Sequence, residues 1–379
     1  MLQYITSESV TSGHPDKIAD QISDAIVDAC LAQDPFSRLG CETLVANNNC
    51  VIAWEITTNA KVDYVEIAKN TIKNIWYDSD LKYYNYDNID FINFVHTQSK
   101  DIAQGVDVGW AWDQWIMYWY ATNETSNFLP LPISIAHSLA KKLEEVRKNN
   151  EIDYLYPDGK TQVTVVYDEN NRAIWVDTVL ISTQHAKDVD QEILRADLIQ
   201  KVITPVLKNY WYNTNDVKHI YTNPTWVFNI GWPVGDSGLT WRKIIIDTYG
   251  WVWRHGWGAF SWKDATKVDR SGAYIARYLA KNIVASWVCD RCEIQVSYAI
   301  WIAEPTSIYI DTFGTAKVEV EKIINAVKAN FDLTPAWIIK KLDLRKPIFS
   351  KTSTYWHFGR DWFTWEELDS VPVFEELLK

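Results

Sequence analysis

Glycine is scarce in this chain. There are 14 in 379 residues, about half of what a usual share of roughly 7% would supply. Long apolar runs are lacking too. None is long enough to span a bilayer, so no membrane partner is expected. The segment after Met1 reads as a strand and lacks the charged and then apolar pattern of a leader. The expectation is a cytoplasmic protein. Cysteine is limited to five, at irregular spacing. An odd, scattered set fits reduced thiols and excludes a disulfide framework. Cys289 and Cys292 form one CxxC, but no second pair completes a zinc site. Cys292 opens a strand pattern, so buried thiols are expected there. Positive charge is also short. The net charge of −12 argues against a nucleic-acid partner, and any anionic substrate must be met by local cations.

What is present is otherwise ordinary for a globular protein: 47% apolar and 23% charged residues, in a chain long enough for two or three domains. The exception is tryptophan, with 21 residues.

The most unusual stretch is 255–271, HGWGAFSWKDATKVDRS. It has small residues, Lys263, Lys267, Asp264, Asp269 and Arg270, and no apolar periodicity. Small residues let a ligand approach the backbone. Lysines meet phosphate oxygens, and an aspartate can hold a divalent metal. A solvated charged loop is the plain alternative.

Elsewhere helices and strands are intermixed. Residues 3–8 read as an edge or short strand. Pro15 and Asp16 open a helix whose core face is Ile18, Ile22, Ile26 and Ala29. His14 and Asp16 then stand at a helix entrance, where backbone N–H groups favour anions. Residues 41–63 read as a hairpin around an Asn-rich turn, with Glu42 and Glu55 on its strands. Helices are expected at 65–76, 131–149, 191–206 and 271–286. Residues 98–107 have the polar character of a mobile loop. YPDGKTQVTVVYD reads as a turn and then a strand, with Lys160 at the junction. Residues 223–250 read as turns feeding an apolar strand, and strands are expected at 293–300 and 307–313. The pattern is α+β, helices covering mostly antiparallel sheets.

The stretch GAFSWKD…TKVDRS closely resembles the phosphate loop of the S-adenosylmethionine synthetase family. The resemblance runs from TSESVTSGHPDKIADQ at Thr6 to HFGRDWFTWEE at His357, with GWAWDQWIMYWYATNE between. So many motifs in order are far more specific than a lone glycine pattern. The resemblance implies three similar α+β domains with approximate threefold symmetry, spanning 1–98, 109–226 and 228–366 and interlaced in space. It implies the reaction of ATP, L-methionine and water to S-adenosylmethionine, phosphate and diphosphate. It also implies a homodimer or homotetramer with active sites between subunits.

By the same resemblance His14, Lys160, Arg242 and Lys263 are catalytic. They neutralise the triphosphate, and His14 also meets the departing O5′. Asp113, Asp158, Gly159, Val227, Phe228, Asp236, Lys243 and Ala259 complete the ATP site. The family often has arginine where Val227 stands, which removes one contact here. Glu55, Gln98, Asp236 and Lys267 are implied for methionine, Asp16 and Asp269 for Mg2+, and Glu42 for K+. The loop after Gln98 gates the site in the family and is shorter here than in many relatives.

Laid on the family pattern, 18 of the tryptophans fall at glycine positions: 54, 76, 110, 112, 115, 119, 175, 226, 232, 241, 251, 253, 257, 262, 287, 301, 337 and 356. Trp211, Trp362 and Trp365 are the rest. Chance substitution would not choose one residue type so consistently. The expectation is a decoding difference: a codon such as UGA that the host reads as glycine and this translation reads as tryptophan. Real substitution is the rival. It would leave an inactive family member acting as a scaffold or regulatory subunit. A nucleotide hydrolase is a third reading, weakened by the intact methionine set.

Overall fold

The computed structural model describes residues 1–379 except 76–85, 98–110, 112, 226 and 233. Gln98 and the loop that follows it, expected as a lid, lie outside the described residues.

The first segment runs β1 (Gln3–Val10), α1 (Pro15–Gln33), β2 (Arg38–Ala46), β3 (Asn49–Thr57), α2 (Tyr64–Asn74) and β4 (Asp90–His96). The second runs β5 (Trp115–Thr122), α3 (Leu131–Lys148), β6 (Leu155–Tyr167), β7 (Ala173–His185), α4 (Gln191–Asp197), a π-helical stretch Leu198–Ile203, α5 (Thr204–Asn209) and β8 (His219–Thr222). The third runs β9 (Ser237–Leu239), α6 (Val268–Ala285), β10 (Arg291–Tyr298), β11 (Ser307–Asp311), α7 (Val320–Asn330), α8 (Pro335–Lys341) and α9 (Val371–Glu375).

Local chemistry explains several of these. Asn47 and Asn48 both take positive φ, at 46° and 61°, the type I′ geometry that matches strand twist in a two-residue hairpin. The β2–β3 hairpin is therefore the one expected. Pro15 starts α1, with His14 as its cap. In α3 a proline again stands in the first turn, and Arg147 and Lys148 stand in the last, where cations complement the helix dipole.

Among the described residues the strands form three sheets, numbered by the segment that supplies most of their strands: first β4-β3-β2-β9, second β1-β6-β7-β8 and third β11-β10-β5. All pairings are antiparallel except β3–β4 and β7–β8. Each sheet borrows a strand in cyclic order. The first segment lends β1 to the second sheet, the second lends β5 to the third, and the third lends β9 to the first. Each sheet carries one long helix: α1 on β2 and β9, α3 on β1 and β6, α6 on β5 and β10. The chain is thus α+β with three sheet-and-helix units, and a boundary in sequence is not a boundary in space. One apolar core joins α1 and α6 to the first and third sheets, and a second surrounds α3, β6 and β7.

Three local expectations are corrected. Lys160 lies inside β6, not at its start, because the strand begins at Leu155 and absorbs the turn-like PDG as a register irregularity. Residues 241–250 form successive turns instead of an apolar strand, because Asp247 is drawn to buried Lys17. Ala29 is only partly buried, and Val27 and Cys30 fill the core instead. The five cysteines are free and buried, as expected. No described helix is long and apolar enough to cross a membrane.

The feature that ties the units together is a column of aspartates on α1, one per turn. Asp16 accepts from the Leu239 N–H at 3.0 Å and Asp20 from Trp241 N–H at 3.1 Å. Asp24 accepts from Trp262 N–H at 3.0 Å and from both terminal nitrogens of Arg270 at 2.9 and 3.0 Å. Asp28 accepts from Phe349 and Ser350 N–H, both at 2.8 Å. Four carboxylates thus hold β9 with the turn after it, the loop before α6 and the stretch 349–350, all in the third segment. β9 can approach only because residue 238 is glycine: a Cβ there would stand 2.1 Å from the Pro15 carbonyl carbon.

Burial pushes the Asp28 carboxyl up to about 6, against the pull of its three hydrogen bonds from Phe349 and Ser350. A carboxyl raised in the folded state binds its proton more tightly there. Its contribution is full below the unfolded value of about 3.9 and is lost as pH rises through about 6. We expect Asp28→Asn to remove that component. Its stability relative to wild type should rise between pH 4 and 7.5 by up to about 3 kcal/mol, read by urea unfolding at each pH. A constant difference would show that Asp28 is ionised throughout.

Candidate active site

Two groups of charged residues meet the α1 column, one at its entrance and one beside Asp24.

At the entrance His14 caps α1. Its Nδ1 accepts from the Asp16 N–H at 3.2 Å, which assigns the proton of the neutral ring to Nε2. That Nε2 is buried and has no partner among the described residues. Burial holds the imidazole well below its usual pKa, helped by the charges of Lys243, Lys160, Lys17 and Arg242. His14 is therefore both a cap and a neutral donor with nothing yet to donate to. Asp16, fully buried, is met by Lys243 and, at 3.7 Å, by the Arg242 Nε. Asp158 is buried close by. Burial and the charge of Asp236 push its carboxyl up to about 7, while Lys160 and Lys243 pull the other way. Gly159 accepts from Thr11 N–H at 2.9 Å, tying β6 to the turn before His14. Phe228 is docked by two hydrogen bonds to His185, and Val227 beside it is exposed. Seven expected residues, His14, Asp16, Asp158, Lys160, Asp236, Arg242 and Lys243, thus share one electrostatic environment.

The second group lies on the loop between β9 and α6. Cys41 N–H donates to the Trp262 carbonyl at 2.9 Å, and Lys263 bridges to Gly40 as an added strand. The buried Lys263 ammonium pairs with Asp269 in the first turn of α6. The other Asp269 oxygen, Oδ1, is buried without a partner. Lys267 caps α6 from the backbone and pairs with Asp264 at 2.6 Å. Glu42 on β2 is raised by burial, which the Trp241 indole and the charge of Lys263 oppose. Ala259 is buried on the same loop. Two indoles crowd this group: the Lys263 Nζ lies 4.3 Å from the Trp262 ring and 5.5 Å from the Trp115 ring.

Glu55 on β3 stands opposite Gly40, the residue that Lys263 bridges, and lies 3.9 Å from His96. Asp113 accepts from its neighbour Gln114 just before β5.

The sequence reading missed Lys17, Asp20, Asp24 and Asp247, and it noted Arg270 in the charged stretch without giving it a role. Burial pulls the Lys17 ammonium down, but Asp247 and Asp20 outweigh it and hold it above its usual pKa. The signal was available: aspartates at 16, 20, 24 and 28 repeat at one helical turn, beside the apolar face.

Among the described residues no group of three or more His, Cys, Asp or Glu could hold a metal alone. The site instead offers single carboxylates among cations, which suits Mg2+ shared with substrate phosphates. The unpartnered Asp269 Oδ1 fits that role. Glu42 fits K+, because a cation would offset the cost of burying its charge.

Comparison with known families covers nearly the whole chain. Residues 3–100 match the S-adenosylmethionine synthetase N-terminal domain, 109–228 its central domain and 230–367 its C-terminal domain. The chain belongs to the S-adenosylmethionine synthetase family. Membership places it among transferases of S-adenosylmethionine biosynthesis. The loop 255–271 and the His14 entrance fall within the matched spans of that family.

The electrostatics at His14 can be tested directly. Removing one facing cation should favour the imidazolium. We expect Lys243→Gln to move the His14 pKa upward, towards 6.5, in an NMR titration of its ring carbons. An unmoved value would show that Lys243 does not act on His14.

Proposed function

We propose that this chain makes S-adenosylmethionine from ATP and L-methionine, releasing phosphate and diphosphate. The observation that carries the reading is the unpartnered, buried Nε2–H of a neutral His14, faced by Lys160, Arg242 and Lys243. A neutral donor among cations is what a departing polyphosphate oxygen requires.

The methionine sulfur attacks C5′ of ATP. An S–C5′ bond forms, the C5′–O5′ bond breaks, and its electron pair leaves on the triphosphate. Water then divides the triphosphate into phosphate and diphosphate. A thioether is already nucleophilic, so the first step needs no base. The work falls to positioning and to neutralising the leaving group. His14 donates from Nε2 to the departing O5′, and Lys160, Arg242, Lys243 and Lys263 meet phosphate oxygens. Asp113, Asp158, Gly159, Val227, Phe228, Asp236 and Ala259 surround the nucleotide. Glu55, Gln98, Asp236 and Lys267 orient the methionine. Asp16 and Asp269 are the carboxylates that would hold Mg2+, which would compensate phosphate charge, and Glu42 is the one that would meet K+.

Lys243 and Lys263 already neutralise Asp16 and Asp269 in the ligand-free chain. Each ammonium is thus held beside a carboxylate that a metal would occupy, ready to turn to phosphate. A homodimer or homotetramer completes the reading. Leu44, Ile92, Phe94, Ile116 and Tyr309 are exposed on strands of the first and third sheets, an apolar surface that suits a second subunit.

Incubation with ATP, methionine, Mg2+ and K+ should give S-adenosylmethionine, phosphate and diphosphate in equal amounts. Fast ATP turnover without methionine would favour a hydrolase instead. Lys263→Gln should lower turnover about 100-fold or more while the chain still unfolds cooperatively; unchanged turnover in a folded variant would remove Lys263 from the chemistry. Asp269→Asn should shift the Mg2+ titration of activity to higher concentration, and a superimposable titration would show that it is no ligand.

A further inference from the structure

We infer that positions 54, 211, 241, 251, 257, 262, 287, 301 and 356, written as tryptophan, are glycine in the folded protein, and that glycine at 262 removes the nearer of the two indoles beside Lys263. The argument rests on backbone geometry and does not depend on the reaction.

All nine residues have φ between 61° and 96°: Trp54 lies at 96°, Trp262 at 83°, and the rest between 61° and 68°. In that range a Cβ crowds the following carbonyl, and a large aromatic residue is a true outlier. The effect is concentrated on tryptophan. Among the described tyrosines and phenylalanines only Tyr355, Phe128 and Phe313 share such angles, and the remaining residues there are Asn or Asp, which tolerate them, and Leu333. A backbone distorted throughout would not favour one large residue type so strongly.

The helix ends show what these positions require. After α5, Trp211 N–H donates to the Lys208 carbonyl at 3.1 Å and Tyr212 N–H to that of Leu207 at 3.0 Å. This paired closure needs a left-handed residue at the first position past the cap, normally glycine or asparagine. After α6, Trp287 N–H donates to Val284 at 3.0 Å in the same way. The chain ends α3 and α8 with the same closure but places Asn150 and Asp343 there, two residues that tolerate this geometry. Trp211 is informative because comparison with the family pattern alone left it as tryptophan.

The side chains agree. Trp211 is 96% exposed, and Trp257, Trp251, Trp287 and Trp301 are more than half exposed. The fold has no place for these rings. Trp262 and Trp356 do enter the interior, but their indole N–H groups find no partner, an arrangement buried tryptophans usually avoid. Trp365 is the contrast. It is fully buried, donates to the His357 carbonyl at 2.8 Å and stacks on Tyr274 with centroids 4.0 Å apart. Trp365 is a genuine tryptophan.

At the site the backbone is pinned from both sides. Trp262 N–H is held by Asp24 and its carbonyl by Cys41, while Trp241 N–H is held by Asp20. These loops cannot rotate to relieve a side chain without releasing α1. A Cβ on Gly40 would stand 3.4 Å from the Trp262 ring and 3.5 Å from the Trp54 ring. Both rings therefore lie against the strand that carries Glu42, and that of Trp262 covers Lys263. Glycine at 262 uncovers that face of Lys263.

The test is peptide mass spectrometry of the protein from its native source, covering 54, 211, 257, 262, 287 and 365. Glycine at the first five and tryptophan at 365 are expected. Tryptophan at 211, 257 or 262 would overturn the inference. A second test needs no native material. Two synthetic genes, one with glycine and one with tryptophan at the nine positions, are expressed in a host of standard code. The glycine chain should be soluble and unfold cooperatively on heating, and the tryptophan chain should not. Equal transitions would show that the geometry does not demand glycine. Neither measurement involves ATP or methionine, so each can fail independently of the proposed reaction.

Discussion

Helix α1 carries four buried carboxylates in register, and the rest of the molecule is assembled on them. Burying a carboxylate is costly unless donors and cations replace its water. Here the first two meet β9 and the turn after it, through Leu239 and Trp241, and the next two meet the third segment at Trp262 and Phe349. The Asp24–Arg270 pair is bidentate and wholly buried, the geometry in which losing one partner costs most. Removing any loop would leave an unpaired charge inside the protein. The column therefore acts less as a source of net stability than as a specification of where the third segment must sit.

That placement also makes the candidate site. Asp16 belongs both to the column and to the His14 group, and Asp24 holds the backbone that presents Lys263. Cations gather around these carboxylates before any substrate arrives. Burial keeps His14 neutral, and the field of the cations adds to it. An imidazolium there would be a stronger donor, but it would bury a charge and face Lys243, Lys160, Lys17 and Arg242. Desolvation first, and repulsion second, decide for the neutral ring.

The cyclic lending of β1, β5 and β9 has a related consequence. No unit can complete its sheet without a strand from another, so the three units fold as one body. The loops following the lent strands β1 and β9 carry the site: His14 follows β1, and Arg242 and Lys243 follow β9. Site geometry and inter-unit topology are the same set of hydrogen bonds seen twice.

Much was legible in the sequence by itself. Periodicity and turn chemistry are local, so the α1 helix, the Asn-turn hairpin, α3 and the β10–β11 pair could be read from neighbouring residues. The motif order determined the family. His14, Asp16, Lys160, Arg242 and Lys243 were found because they sit in those motifs. Tertiary structure alone decided the rest. Sheet partners come from segments more than a hundred residues apart, as β1 with β6, and no local pattern encodes them. The turns of 241–250 override an apolar, strand-like run because Asp247 is drawn to a buried Lys17. The role of the aspartate column was invisible because a carboxylate on a helix reads as solvated until its donors are known. The left-handed angle at Trp211 likewise belongs to a helix closure, set by which carbonyls remain to be satisfied and not by the residue written there.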